Sequence, residues 1–288
     1  TFLKLFRYFF LLLMLQPCNV YSQFTEVGLG VGGAVYYGDL TIDKAVDNIK
    51  LVRPNVGVFI SHHFDDRWAV LAGLQNFTLI ADDAFNSRES IRMRNLSFKS
   101  NVWEFALRGE FYLIPFYPEK KNYSFTLYAS TGVAVFYHNP KAEFLGEYYA
   151  LHPLSTEGQG LDNVPEVKPY SLIQLSIPVL GGIKYNITPG INFFIEFGPR
   201  ITFTDYLDDV SRSYTIGNVL QSSKGDIAYY LSDRRIVKDG EVKKYPDLEG
   251  RGNPKTKDLY FVGLTGLSFN LDNIIGDMFS KKVKCPTF

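Results

Sequence analysis

Eight stretches of this chain alternate apolar and polar side chains over lengths that few soluble folds use, and no other feature limits the fold as much. They run over about 24–37, 51–63, 67–81, 96–114, 122–138, 170–186, 191–206 and 258–271. In "SLIQLSIPVLGGIKYN", Ile173, Leu175, Ile177, Val179, Ile183 and Tyr185 share one face of an extended chain, while Gln174, Ser176, Gly182 and Lys184 share the other. In "INFFIEFGPRITFT", Ile191, Phe193, Ile195, Phe197, Ile201 and Phe203 oppose Asn192, Phe194, Glu196, Arg200, Thr202 and Thr204. In "NVWEFALRGEFYL", Trp103, Phe105, Leu107, Phe111 and Leu113 oppose Glu104, Arg108 and Glu110. The last segment is apolar on both faces. A soluble sandwich alternates too, with its apolar face inward, but its strands are usually only about 5–6 residues long.

Three further features choose between the two solvents. The polar faces are rich in Gly, Ala and Ser, which suits a crowded interior. Aromatics make up 16% of the chain, and Tyr36, Tyr37, Tyr123, Tyr137, Tyr170, Tyr185 and Tyr206 stand near segment ends, as in the interfacial girdles of membrane barrels. The connections alternate in length: long at 38–50, 82–95, 139–169 and 207–257, short at 64–66, 115–121 and 187–190. Outer-membrane barrels have an even strand number, short periplasmic turns and longer outer loops. The expectation is therefore an eight-stranded antiparallel transmembrane β-barrel with both termini in the periplasm. After the first segment, no apolar stretch reaches the ~18 residues that a membrane helix needs.

The first residues read as an export signal. Lys4 and Arg7 precede the apolar run Tyr8 to Leu15, and Val20 and Ser22 stand at −3 and −1 of a cleavage site before Gln23. Residues 1–22 are expected to be removed, leaving a barrel over 23–272 and a short periplasmic tail over 273–288. Loss of Lys4 and Arg7 changes the balance of 30 basic and 30 acidic residues to a net charge of −2. Nothing in this charge suggests nucleic acid, which calls for a basic footprint. Cleavage also removes Cys18 and leaves Cys285 alone, so no disulfide framework is expected. A lipid attached at Cys18 is the weaker alternative, because Pro17 stands where a small residue is needed.

Within "EVGLGVGGAVYYGDL", Gly28, Gly30 and Gly33 match a dinucleotide-binding spacing. That motif needs a helix directly after the glycines, whereas Ala34-Val35-Tyr36-Tyr37 suits a strand. The glycines are read instead as making room beside a filled lumen. Its expected charges are Glu26, Glu104, Glu110 and Glu196 against Arg53, Arg108, Lys184 and Arg200. Eight strands enclose only enough space for side chains, so these groups should pair across the barrel and close it to flow.

Signs of catalysis are sparse. His62 and His63 flank the short turn at 64–66 and are read as lying at the membrane interface. His138 and His152 flank an outer loop with Ser155 and Glu157, a conceivable hydrolase set that no strand gathers on one face. Asp205, Asp208 and Asp209 could take Ca²⁺ through oxygen ligands, although the plainer reading is a solvated loop base. The insertion 211–257 reads as an exposed, charged loop. No catalytic residue, metal or cofactor is assigned.

Several stretches resemble one family, the PorG-like outer-membrane barrels associated with the type IX secretion system. They are "VGGAVYYGDL" (31–40), "RNLSFKS" (94–100), "FYHNPKAE" (136–143), "YALHPLSTEGQG" (149–160), "QLSIPVLGGIKY" (174–185) and "FTDYLDDVS" (203–211). The most specific pieces carry Glu157 and Asp205, Tyr206, Asp208 and Asp209. The resemblance implies a non-enzymatic barrel that ties a periplasmic ring of PorK-like and PorN-like subunits to the outer membrane. In that role it would help to export type IX cargo and, in gliding relatives, surface adhesins. Ring contacts would fall on the periplasmic side, at Phe64, Asp65, Asp66, Phe116 and Tyr117 and at Ile274, Ile275 and Phe279 of the tail, which could form a short amphipathic helix. The outer surface would meet membrane lipid and lipopolysaccharide. The alternatives are a generic structural barrel and, less favoured, a surface lipid hydrolase or protease.

Overall fold

The alternating segments become strands that pair with their sequence neighbours. A computed structural model describes residues 24–41, 49–117, 124–188, 190–215, 217–236 and 250–272. The strands are β1 (Phe24–Tyr37), β2 (Arg53–His63), β3 (Trp68–Asp82), β4 (Ser97–Tyr112), β5 (Phe125–Tyr137), β6 (Lys141–Phe144), β7 (Glu147–Ala150), β8 (Ile173–Thr188), β9 (Ile191–Thr202) and β10 (Leu259–Asn270). All except β6 and β7 form an antiparallel ring; β3 pairs with β4, and β1 with β10 across the final seam. The fold is a closed eight-stranded antiparallel barrel. The signal segment 1–22, the tail 273–288 with Ile274, Ile275 and Phe279, Tyr123 and part of the large insertion lie outside the described residues.

The two faces sort as the alternation requires. Outward on β4 stand Trp103, Phe105 and Leu107, with Leu113 just past its end, all exposed, and β8 and β9 show Ile173, Leu175, Ile183, Phe193, Ile195 and Phe197. From Trp103 to Leu113 the strand rises about 25 Å after allowing for the tilt usual in such barrels. That matches the apolar band of an outer-membrane barrel. Inward, the glycines of β1 admit neighbouring side chains: a Cβ on Gly30 would lie 2.8 Å from Leu264 Cγ and 3.0 Å from Phe194 Cζ.

The barrel's two ends differ. At the short-turn end, Asp65 Oδ1 accepts the backbone N–H groups of Arg67 and Trp68 at 2.7 and 2.8 Å, which fixes a tight turn. Phe24, Ala69, Tyr112, Phe116 and Tyr128 pack together and close the lumen there. At the other end the long loops fold inward as a cap. This cap includes α1 (Glu89–Arg94), the β6–β7 hairpin, α2 (Gly217–Lys224) and α3 (Asp226–Ser232). Leu40, Leu96, Leu151, Leu207, Val210 and Leu231 from these loops join Phe77, Phe98, Phe136 and Tyr260 from the strands in one apolar cluster.

Two expectations change here. The connection 139–169, read only as a long outer loop, holds the β6–β7 hairpin. The insertion 211–257 was expected to be exposed, yet its helices bury Leu220, Ala228 and Leu231. The girdle divides as well. Tyr37, Tyr137 and Tyr185 are exposed on the outside, whereas Tyr36 is buried and Tyr170 and Tyr206 stack on each other in the cap with centroids 4.9 Å apart.

Candidate functional site

Lumen charges form stacked clusters. Nearest the short-turn end, Glu26 Oε1 accepts from Lys184 Nζ and lies 3.0 Å from His63 Nε2. Its Oε2 accepts from Asn192 Nδ2 at 3.0 Å and from Ser268 Oγ at 2.7 Å. Lys184 also donates to Tyr112 Oη at 2.8 Å, and Tyr112 donates to Glu110 Oε2 at 2.6 Å. In the middle, Arg108 meets Glu196 at 3.1 Å and Tyr128 donates to the same carboxylate. Toward the cap, Arg200 lies 3.3 Å from Glu104, whose second oxygen accepts from Tyr260 Oη at 2.6 Å. All of these charged groups are buried. Charges removed from water persist only when paired, and here they fill the space that the glycines leave.

Arg53 is not part of this set. It sits at the rim, donating to the carbonyls of Lys50 and Val52 at 3.0 Å, because β2 begins there and its side chain reaches the surface. His63 belongs in the lumen and was missed by sequence reasoning. Position parity on β2 puts it inward with Ser61, and its ring stacks on Phe24 with centroids 3.9 Å apart. His62 faces Thr25 Oγ1 at 3.0 Å. The strand alternation held the signal for both placements.

The acidic loop residues are not solvated. Glu157 Oε1 accepts from Ser211 N at 2.9 Å and Arg251 Nη1 at 3.1 Å, and its Oε2 accepts from Arg212 N at 3.0 Å. Asp209 accepts from Thr156 Oγ1 and from Tyr170 Oη at 2.8 Å. Arg251 also donates to the Asp209 carbonyl. Asp205 accepts from Ser211 Oγ at 2.6 Å, and Tyr206 packs against Tyr170. The stretches 149–160 and 203–211 thus form one buried knot with Arg251. Arg94 extends it: its guanidinium grips both oxygens of Asp83 at 2.8 Å and donates to the carbonyls of Asp39 and Arg251. Two arginines tie together four long loops.

Above the β1–β10 seam a second clasp forms. Tyr36 Oη lies 2.7 Å from Asp208 Oδ2 and 2.9 Å from Asp258 Oδ1. The other oxygens of these carboxyls accept from Val210 N and Leu207 N, both at 2.9 Å. One hydroxyl carries one proton, so it can donate to only one carboxyl and must accept from the other. The arrangement therefore favours a second proton, on Asp208 or Asp258. Burial first, then mutual repulsion with Asp258, raises Asp208 well above the usual carboxylate range. Burial, with Asp205 and Asp39 nearby, pushes Asp258 up to about 8. Burial also lifts Asp209, to about 6, against the pull of Arg251.

The conceivable hydrolase set is used otherwise. Glu157 is occupied as described, His152 Nε2 meets the Tyr170 carbonyl at 2.8 Å, and His138 is buried against Phe136 and Tyr170. Burial lowers His138 to about 4, far from a base suited to neutral pH. Asp205, Asp208 and Asp209 point to different partners, and the described residues hold no cluster of three or more His, Cys, Asp or Glu arranged for a metal.

At the short-turn end, Phe64 is exposed, and Asp65 and Asp66 lie beside it in the turn. Asp66 Oδ2 accepts from Tyr117 Oη at 2.8 Å. Phe116 is 1% exposed, packed beneath Tyr112, so it plugs the lumen and offers nothing to a partner.

Comparisons with known proteins place the chain as follows. It is similar to Ail, the attachment invasion locus protein of Yersinia pestis, at 9% identity over 88% of this chain and 100% of Ail (TM-score 0.38). It is similar to Neisserial surface protein A at 7% identity over 86% of this chain and 97% of that one (TM-score 0.40). It is also similar to the outer membrane protein OprG of Pseudomonas aeruginosa at 10% identity over 87% and 96% (TM-score 0.37). No curated protein matches. Residues 3–223, which take in the stretch 203–211 and every barrel strand except β10, match the family described as Domain of unknown function (DUF6089), and the chain belongs to that family.

Proposed function

We propose that this chain is an outer-membrane barrel that acts as a non-enzymatic component of type IX secretion, docking a periplasmic ring of PorK-like and PorN-like subunits to the membrane. The observation that carries the proposal is the filled interior beneath an apolar exterior. With Glu26, Lys184, Arg108, Glu196, Arg200 and Glu104 paired across the lumen, the barrel offers no conduit, and its working surfaces are its two ends. The type IX assignment is supported by the resembling stretches in the sequence, above all those that carry Glu157 and Asp208–Asp209.

In this reading the long-loop end faces outward and the short-turn end faces the periplasm, following the rule for outer-membrane barrels. The wall meets membrane lipid, and the outer rim meets lipopolysaccharide. The ring would then meet Phe64, Asp65, Asp66 and Tyr117, together with Ile274, Ile275 and Phe279 of the following segment.

A pull-down of the tagged protein from native outer membranes in mild detergent, with mass spectrometry of the eluate, tests the reading. Recovery of the ring lipoprotein and its partner supports it, and Phe64→Asp should then weaken that recovery while the barrel still folds. A clean barrel without partners, taken from secreting cells, would reduce the reading to a generic structural barrel.

A further inference from the structure

On the outer wall, above the apolar band at the long-loop end, lies a groove of about 240 Å³ between the start of β4, the β6–β7 hairpin and the turn at 83–85. Three cations line it: Arg53, Lys99 and Lys141. Ile80, Phe85 and Tyr148 form an apolar wall beside them. Lys99 and Lys141 are direct cross-strand partners, and theirs is the pairing that joins the hairpin to the barrel. Like charges placed directly opposite each other destabilise a sheet. Among the described residues neither lysine is ion-paired; Lys99 Nζ instead lies 5.2 Å from the Tyr148 ring centroid. Two acids, Asp82 and Glu143, also line the groove, and neither pairs with a lysine. Asp82 accepts from Ala84 N at 2.8 Å, and Glu143 faces the Tyr148 hydroxyl.

The height of the groove identifies its surroundings. Lys99 shares the outward face of β4 with Trp103, and Trp103 pairs in register with Tyr137, an aromatic point at the top of the apolar band. Four residues of tilted strand put Lys99 about 10 Å above that point, at the level of lipid headgroups. A repelling cation pair with an apolar wall, at that depth, lacks an anion attached to an apolar body.

We propose that this groove binds a phosphate of the lipopolysaccharide headgroup, with Lys99 and Lys141 on the phosphate and the Ile80–Phe85–Tyr148 wall against the adjoining lipid. The proposal rests on the outer-membrane reading given above. Binding would neutralise the Lys99–Lys141 repulsion and so also fasten the β6–β7 hairpin to the barrel.

The test uses the full-length protein folded in neutral detergent and its Lys99→Gln/Lys141→Gln variant. Both are offered bisphosphorylated lipid A, the same lipid without phosphates, phosphatidylglycerol or inorganic phosphate, and bound lipid is read by native mass spectrometry. The wild type should prefer phosphorylated over dephosphorylated lipid A by on the order of tenfold. The variant should lose that preference while keeping heat-modifiable gel migration. A preference that survives in the variant overturns the site. Equal retention of phosphatidylglycerol, or displacement of lipid A by millimolar inorganic phosphate, overturns the glycolipid as its ligand. Failure of either protein to enter neutral lipid vesicles would instead sink the membrane reading, and the groove with it.

Discussion

Single side chains inside the barrel act as parts of pairs. Arg200 and Glu104 are both fully buried at 3.3 Å, so removing one leaves the other charged and alone. Arg200→Met should cost about 3–5 kcal/mol, read as a lower urea midpoint for barrel unfolding in micelles. Arg200→Met/Glu104→Leu should recover most of the loss, because paired apolar replacements are close to neutral. A double variant as weak as the single would mean that Tyr260 or the backbone, and not the ion pair, sets the stability. Gly30→Glu presses on a different limit. Its Cβ already meets Leu264 and Phe194, and a carboxylate added there has no partner, so the yield of folded, heat-modifiable barrel should fall sharply. A normal yield would contradict the inward placement of Gly30.

Among the elements, the cap is where pH should act. Asp258 is raised to about 8, and Asp208 is raised with it. A carboxyl raised in the folded state binds its proton more tightly there than in the open chain. Its contribution is therefore complete below the unfolded pKa of about 4 and is lost as pH rises toward 8. Asp39 and Asp205 nearby add to the repulsion, while Arg94 opposes it. Amide protection factors, with the intrinsic rise of exchange with pH divided out, should fall in 204–211 and 256–258 between about pH 5 and 9, with those of the barrel strands unaffected. Asp258→Asn, whose amide can donate to Tyr36 Oη in place of the shared proton, should flatten that profile; an unchanged profile would place the titration elsewhere. These partners were hard to read from the chain. "TDYLDDVS" shows its acids but not Arg251 more than forty positions away or Tyr36 far upstream, and unpartnered acids read as solvated. The strands were legible because their alternation is local: most limits fall within three residues, and β9 ends earlier because the chain turns at 203–206 into the cap. The β6–β7 hairpin was lost because "KAEF" and "EYYA" are short and carry charges on the outer face. Phe116 was misread because its turn is short, and nothing local shows that the ring folds back under Tyr112.

For the molecule as a whole, the wall decides the solvent. Leu107 stands exposed near the middle of the outward face of β4, so Leu107→Lys should destabilise the inserted barrel by about 2–4 kcal/mol. The same change should matter little in a water-soluble barrel, and equal unfolding midpoints in lipid for the two proteins would argue against the membrane reading. The seam between β1 and β10 has a wider consequence. All other barrel strands pair with near neighbours in sequence, but this seam joins strands more than 220 residues apart. Buried polar groups bridge it at both ends. Glu26 reaches Ser268 across it at one end, and Tyr36 reaches Asp258 at the other. Until the seam shuts, each of these groups lacks a partner it will need in an apolar surround. Insertion should therefore behave like a latch: a ring either closed along its whole length or still held by whatever shelters its first and last strands, with no stable half-open form between.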